Sequence, residues 1–305
     1  MTNKNEVYNL ITEGYGAIAQ NITVVLGKIL EELGLTEIRG WQNLLNATGI
    51  APEPIIVERI LVRGAYNKPS RIQETLDSLV EQGYLTDDYV ATSKAQDIID
   101  NFIKRQRAEL EKLNPLPEAD MTRIIELFSK LTESIKQLTL PTPAFDDSQR
   151  RGIPDDMHLI EQYIRHGAYY FAFRDDAHLI TWKPYNVSGH AWEILAYIWR
   201  GEAKSPADLP ENIRNFRAFT EEEDQEAVQE LLSRDWIKTT EVEGEYAITE
   251  RGKRIRDKSE AGTDEVFYSV WNSLSDDEIT ELSTILTNFR DELQKTIPQP
   301  EGESA

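Results

Sequence analysis

The chain carries one pattern twice. Sliding residues 156–297 onto residues 5–138 brings Trp192 onto Trp41, and 39 residues further on Leu231 onto Val80. Thr249 in YAITERGK then meets Thr92 in YVATSKAQ; Leu274 follows the one by 25 residues, Leu116 the other by 24. Beyond them LPEADMTRIIELFSKLTESI aligns without a gap to LSDDEITELSTILTNFRDEL. Four matches in order, with similar spacing outside the strand pair, are read as an internal duplication, so the fold should be one that the same layout can build twice.

Each copy reads the same way. A long helix opens it, over 5–33 and again over 155–182, and Val7, Leu10, Ile11, Ile18, Ile22, Val25 and Ile29 recur at helical spacing. A short helix follows at each Trp, then further helices, the last over 69–82 or 220–234. Gly83 supplies a helix stop. Two short strands come next: IKTTEV and EYAIT turn at Glu243-Gly244, and a pair five residues shorter turns near Asp87-Asp88. Two helices close each copy, the last opened by a capping box, Ser275 with Glu278 three residues on. Residues 139–154 hold three prolines and no apolar period, which reads as a linker. The expected division is 1–138, a linker at 139–154, 155–297, and a disordered tail at 298–305. Helices, a two-stranded wing and returning helices make a winged helix-turn-helix. The expected class is therefore mainly α with small β-wings, as two tandem units.

Composition narrows the chemistry. The 305 residues include no cysteine, which removes disulfides, thiolate metal sites and a Cys nucleophile. No apolar run approaches membrane-spanning length and the first residues have no signal-like core, so no membrane partner and a cytoplasmic location are expected. There is no Gly-rich phosphate loop, HExxH or nucleophile elbow, so no enzyme activity and no cofactor are expected. Net charge is −21, which opposes nucleic acid at long range. The charge is uneven: residues 1–150 hold 16 basic and 22 acidic side chains, and 151–305 hold 17 and 32.

The wing exit Thr249, Gly252, Lys253, followed by LSDDEITELSTILTNFRDEL, resembles the MarR family of winged-helix regulators. The likeness is best over 192–295 and weaker over 41–138, where Ala95 replaces the Gly. It implies a homodimer-like assembly with interlocked terminal helices, each half putting a recognition helix in a major groove and a wing near the backbone. Two units in one chain would then form an internal pseudodimer. The recognition helix should precede each wing. In the first copy Ser70, Arg71 and Gln73 open that helix, with Lys68 just outside it and Arg59 and Arg63 on the helix before it; this set can reach phosphates and base edges of duplex DNA. In the second copy the helix opens Thr220-Glu221-Glu222-Glu223-Asp224, and Glu241, Glu243 and Glu245 lie on the wing. Carboxylates suit a helix N-terminus but repel a phosphate backbone.

All four histidines fall within residues 158–190, and on the second long helix Arg174, Asp175 and His178 lie at touching distance. Three readings stand. One is a hydrogen-bonded polar cluster that locks the helix. Another is a small-molecule effector pocket lined by Tyr169, Tyr170, Trp182 and Trp192 with Arg174, Asp175 and His178. The last is a metal site from Asp175, His178 and His166 or His190, although only a pair stands at chelating spacing, so no metal is expected. The function expected is a transcription-regulator-type protein that binds duplex DNA mainly through its first copy, under effector control. The alternative is a degenerate relative that acts through a basic protein partner or ligand sensing without DNA.

Overall fold

The computed structural model describes residues 3–298. The tail expected from 298 onward lies outside the described residues apart from Pro298. Helices dominate, with a single small two-stranded antiparallel sheet among the described residues. Packing gathers the described residues into two compact units, each taking segments from both halves of the sequence: 3–54, 79–173 and 268–298 in the first, 55–78 and 174–267 in the second. The boundaries of these units differ from those of the expected repeat.

In the first unit the apolar stripe of α1 (Lys4–Glu32) sets the core. Asn3 caps the helix by accepting from the Asn5 N–H, and Val7, Ile11, Ala17 and Ile18 are buried along one face. Burial of a large apolar side chain is worth about 1.5–3 kcal/mol, so this face outweighs any local propensity. It meets α13 (Asp276–Lys295) and the start of α8 (Leu159–Trp182). The Tyr163 hydroxyl donates to the Ile11 carbonyl (2.9 Å), its ring lies 4.5 Å from that of Phe289, and a Cβ on Gly14 would come 2.5 Å from the Tyr163 oxygen. Asn21 donates to the Leu293 carbonyl (2.9 Å).

The two closing helices bury the residues that the ungapped alignment pairs. On α6 (Glu118–Lys136) Met121, Ile124, Phe128, Leu131 and Ile135 are buried; on α13 the matching Ile279, Leu282, Leu286, Phe289 and Leu293 are buried too. Arg123 pairs with Glu281 at 2.9 Å, and the Ser275–Glu278 capping box forms as expected. The expected linker contains a helix, α7 (Pro143–Gln149), because Pro143 presets its first turn and Phe145 is buried edge-on against Tyr169 and Phe173.

The first wing is smaller than expected. Between α4 (Pro69–Glu81) and α5 (Ser93–Leu110) the strands reduce to one bridge, Leu85 with Ala91. The short loop closes through Tyr89 at φ 58° and a Thr86 N–H to Val90 carbonyl bond, which leaves no room for further pairs. Its exit is pinned by Thr92, whose hydroxyl lies 2.9 Å from the Gly83 carbonyl and 3.0 Å from that of Tyr84, and accepts from the Ala95 N–H (3.4 Å). The remaining helix of this unit is α2 (Trp41–Ile50), whose Trp41 packs edge-on against Phe102 of α5.

The second unit holds α3 (Val57–Arg63), most of α4, the rest of α8, α9 (Gly189–Arg200), α10 (Glu211–Arg217), α11 (Glu221–Ser233), the hairpin β1 (Ile237–Thr239) and β2 (Tyr246–Ile248), and most of α12 (Glu250–Ser269). Its core stacks Trp182 on Trp192 (5.6 Å, 12°) and sets Trp236 edge-on to Trp192, closed by Val228, Leu231 and Leu195. Ile237 pairs with Ile248 and Thr239 with Tyr246, and the turn between them passes through Gly244 at φ 80°. Thr249 pins this exit as Thr92 pins the other. Its hydroxyl lies 2.7 Å from the Asp235 carbonyl and 3.2 Å from that of Trp236, and accepts from the Gly252 N–H (3.0 Å).

Candidate nucleic-acid interface

The arrangement α9–α10–α11–β1–β2 is built from strong local signals. Ser188 caps α9 by accepting from the Ala191 N–H, and Gly201 ends it at φ 73°. Pro210 leads into α10, which ends at Ala218 in the left-handed region, φ 53°. Thr220 and Glu223 form a capping box at the start of α11. The turn between α10 and α11 sets their angle, and Val228 and Leu231 fix α11 to the tryptophan core. The hairpin follows at once, as a wing should.

The outward first turn of α11 is acidic, with Glu221, Glu222, Glu223 and Asp224. An open cleft of about 940 Å³ lies between this turn, the end of α10 and the wing, lined by Glu221, Asp224, Glu243 and Glu245 together with Arg214 and Arg217. Asp224 takes a 2.7 Å contact from His190 Nε2. Burial drives the His190 pKa down, against the pull of Asp224. Arg217 grips Glu193 at 2.9 Å, and both side chains are largely buried.

Of the six side chains nominated for DNA, Arg59 and Arg63 stand on α3, Ser70, Arg71 and Gln73 on α4, and Lys68 just before α4. Ser70 is exposed, Arg59 is half-buried, and Gln73 donates to Asp77 (2.8 Å). The three remaining cations point to acceptors within their own unit. Arg63 pairs with Asp175 at 3.0 Å, Lys68 with Glu223 at 2.7 Å, and Arg71 donates to the Asn215 carbonyl at 2.9 Å. The hydrogen bond from Lys68 holds the Glu223 carboxyl below its usual range, helped by the Thr220 N–H. Burial raises the Asp175 pKa, and Arg63 opposes that shift.

The seven side chains nominated for a ligand fall in both units. Tyr169 and Tyr170 belong to the first: Tyr169 packs on Phe145, and the buried Tyr170 hydroxyl donates to the Phe128 carbonyl (2.5 Å). The other five belong to the second and are engaged there. Arg174 pairs with Asp264 (3.3 Å). His178 Nε2 meets the Tyr66 hydroxyl (2.8 Å) and its Nδ1 meets Thr263 (3.3 Å). Burial, then Arg256 and Arg174, push the His178 pKa down to about 4. Trp182 and Trp192 are core, and the Arg256 guanidinium lies 4.3 Å over the Trp192 ring. Among the described residues no group of three or more His, Asp or Glu side chains could hold a metal ion; His166 instead meets Thr132 at 3.0 Å.

Three partners escape a reading of the sequence. Tyr66, in the turn between α3 and α4, carries no motif. Arg217 and Gly189 are as ordinary: Arg217 reaches Asn67, and a Cβ on Gly189 would come 1.9 Å from the Ala65 carbonyl. Each matters through contacts with residues more than a hundred positions away, which no local pattern encodes.

Residues 172–298 match the model of a helix-turn-helix family, so the second half of the chain carries a helix-turn-helix domain. None of the curated proteins and none of the solved structures matches the chain. Among the described residues no helix is long and apolar enough to cross a membrane.

Proposed function

We propose that this chain is a regulator-type DNA-binding protein of MarR-like build, in which two winged helix-turn-helix copies stand for the two halves of a dimer. The matched wing exits carry the reading. Around Thr92 and around Thr249 the hydroxyl meets two carbonyls and one N–H, the threonine N–H bonds the carbonyl of Tyr84 or Trp236, and the threonine carbonyl accepts from Gln96 or Lys253. Such detail at matched positions supports two copies of one fold, and the helix-turn-helix match covers the second copy from residue 172 on. The duplex contact falls to the first copy, because Arg63, Lys68 and Arg71 are there and α11 presents carboxylates instead.

A gel-shift assay with random duplex fragments at low and moderate salt tests this. The expected result is a shift at low salt that Arg71→Glu weakens, with the log–log salt slope smaller by about 0.9 for each phosphate contact removed. The acidic start of α11 and its cleft favour a second reading, a helix-turn-helix scaffold that engages a basic protein partner and no DNA. Absence of any shift at low salt, in the wild type and in variants that free α3 and α4, would select that reading.

A further inference from the structure

We infer that α11 and its neighbours act as an intramolecular stand-in for a phosphate backbone: they hold the α3–α4 segment closed, and its release uncovers the DNA contact. The inference rests on the DNA reading above and adds the regulation of that same site. Each of the three cations best placed for phosphates is taken by an oxygen of the second copy: the carboxylates of Asp175 and Glu223 and the carbonyl of Asn215. A duplex would offer oxygens to the same nitrogens, so the two occupants exclude each other.

The turn between α3 and α4 is seated as well. Asn67 accepts from Arg217, the Tyr66 hydroxyl bonds His178, and the Tyr66 ring lies 6.2 Å from that of Trp182. The Ala65 carbonyl lies so close to α9 that only a residue without a side chain fits at position 189. The ion pairs are partly exposed; the Arg63 and Asp175 side chains are 47% and 41% exposed. Such pairs hold weakly and are screened by salt, as a reversible latch requires.

Gly189→Ala should unseat the turn, because its methyl group meets the backbone of Ala65 while alanine suits the start of α9. A second variant, Asp175→Asn with Glu223→Gln, removes two of the charges and keeps side chains of the same shape; Gln also preserves the capping box. Hydrogen exchange of the full chain, read over residues 55–78, should quicken in both variants. Each should bind a short random duplex at low salt at least about tenfold more tightly than the wild type, a change of about 1.4 kcal/mol. Adding Arg71→Glu to either should reverse the gain. Unchanged exchange over 55–78 in both variants would overturn the inference. So would quickened exchange with duplex affinity equal to that of a wild type that binds; the DNA reading would survive that result. Quickened exchange with no binding by any form would instead overturn the DNA reading, and the latch with it.

Discussion

Thr92 and Thr249 hold their wing exits with the same set of bonds, but three residues on the chain carries Ala95 in one copy and Gly252 in the other. The Ala95 N–H reaches its threonine at 3.4 Å and the Gly252 N–H at 3.0 Å, and a Cβ on Gly252 would come 2.1 Å from the Trp236 carbonyl. The second hairpin therefore lies tighter on its helix, and it forms three residue pairs where the first forms one bridge. The helices before the two wings differ more. α4 opens with Lys68 and Arg71 nearby, whereas α11 opens with four carboxylates in its first turn. Each exit is held by a few internal bonds that do not involve the surface side chains, so two helices of opposite surface charge can precede exits of the same form.

Acidification should test both units most severely. His166 in the first and His178 in the second both have pKa values pushed down to about 4, mainly by burial. The unfolded chain takes up their protons near 6.5 and the folded chain only near 4, so stability is flat above that window and falls as pH drops through it. Between pH 7 and 5 each histidine should cost about 2 kcal/mol, read by urea unfolding at the two pH values. His178→Asn should remove its share, about 2 kcal/mol between the two pH values, and leave the contributions of His166 and of His190, whose pKa burial also lowers. Equal slopes in wild type and variant would mean that His178 is not held neutral.

Gly252→Ala comes next. The methyl group would meet backbone, so the variant should lose about 2–3 kcal/mol, while Ala95→Gly should cost no more than about 1 kcal/mol. A mild effect at Gly252 would show that the two exits are equally loose. Thr249→Val and Thr92→Val each remove a cap, and each should lose about 1–2 kcal/mol. A large difference between them would break the equivalence of the exits. The smallest effects belong to the helix openings. Glu221→Lys at α11 should cost about 0.3–1 kcal/mol and Ser70→Glu at α4 should add a similar amount, both read from denaturant midpoints.

The frame was largely legible because its signals are local. The apolar spacing of α1, the capping box at Ser275, the glycine stop at Gly83 and the threonine exits all act within a few residues, and all stand where expected. Three features were not legible. Helix α7 rests on Phe145 finding Tyr169 and Phe173, and the short first wing rests on the backbone of Tyr89. The gathering of α3 and α4 into the unit of α9–α11 rests on pairs such as Lys68 with Glu223, 155 positions apart. The side chains nominated for DNA lie on α3, on α4 and, for Lys68, just before α4, and which oxygens they meet is decided by tertiary packing. Six of the seven residues proposed as one ligand pocket share α8, with Trp192 on α9, and a helix 24 residues long runs through more than one packing environment.

Glu223 carries a further consequence. One of its carboxylate oxygens accepts from the Thr220 N–H (2.7 Å) and also holds Lys68 (2.7 Å). The opening turn of α11 and the seating of α4 thus share a single atom. Withdrawal of Lys68 would return the whole of that oxygen to the Thr220 amide, so a helix end would tighten as the distant lysine departs.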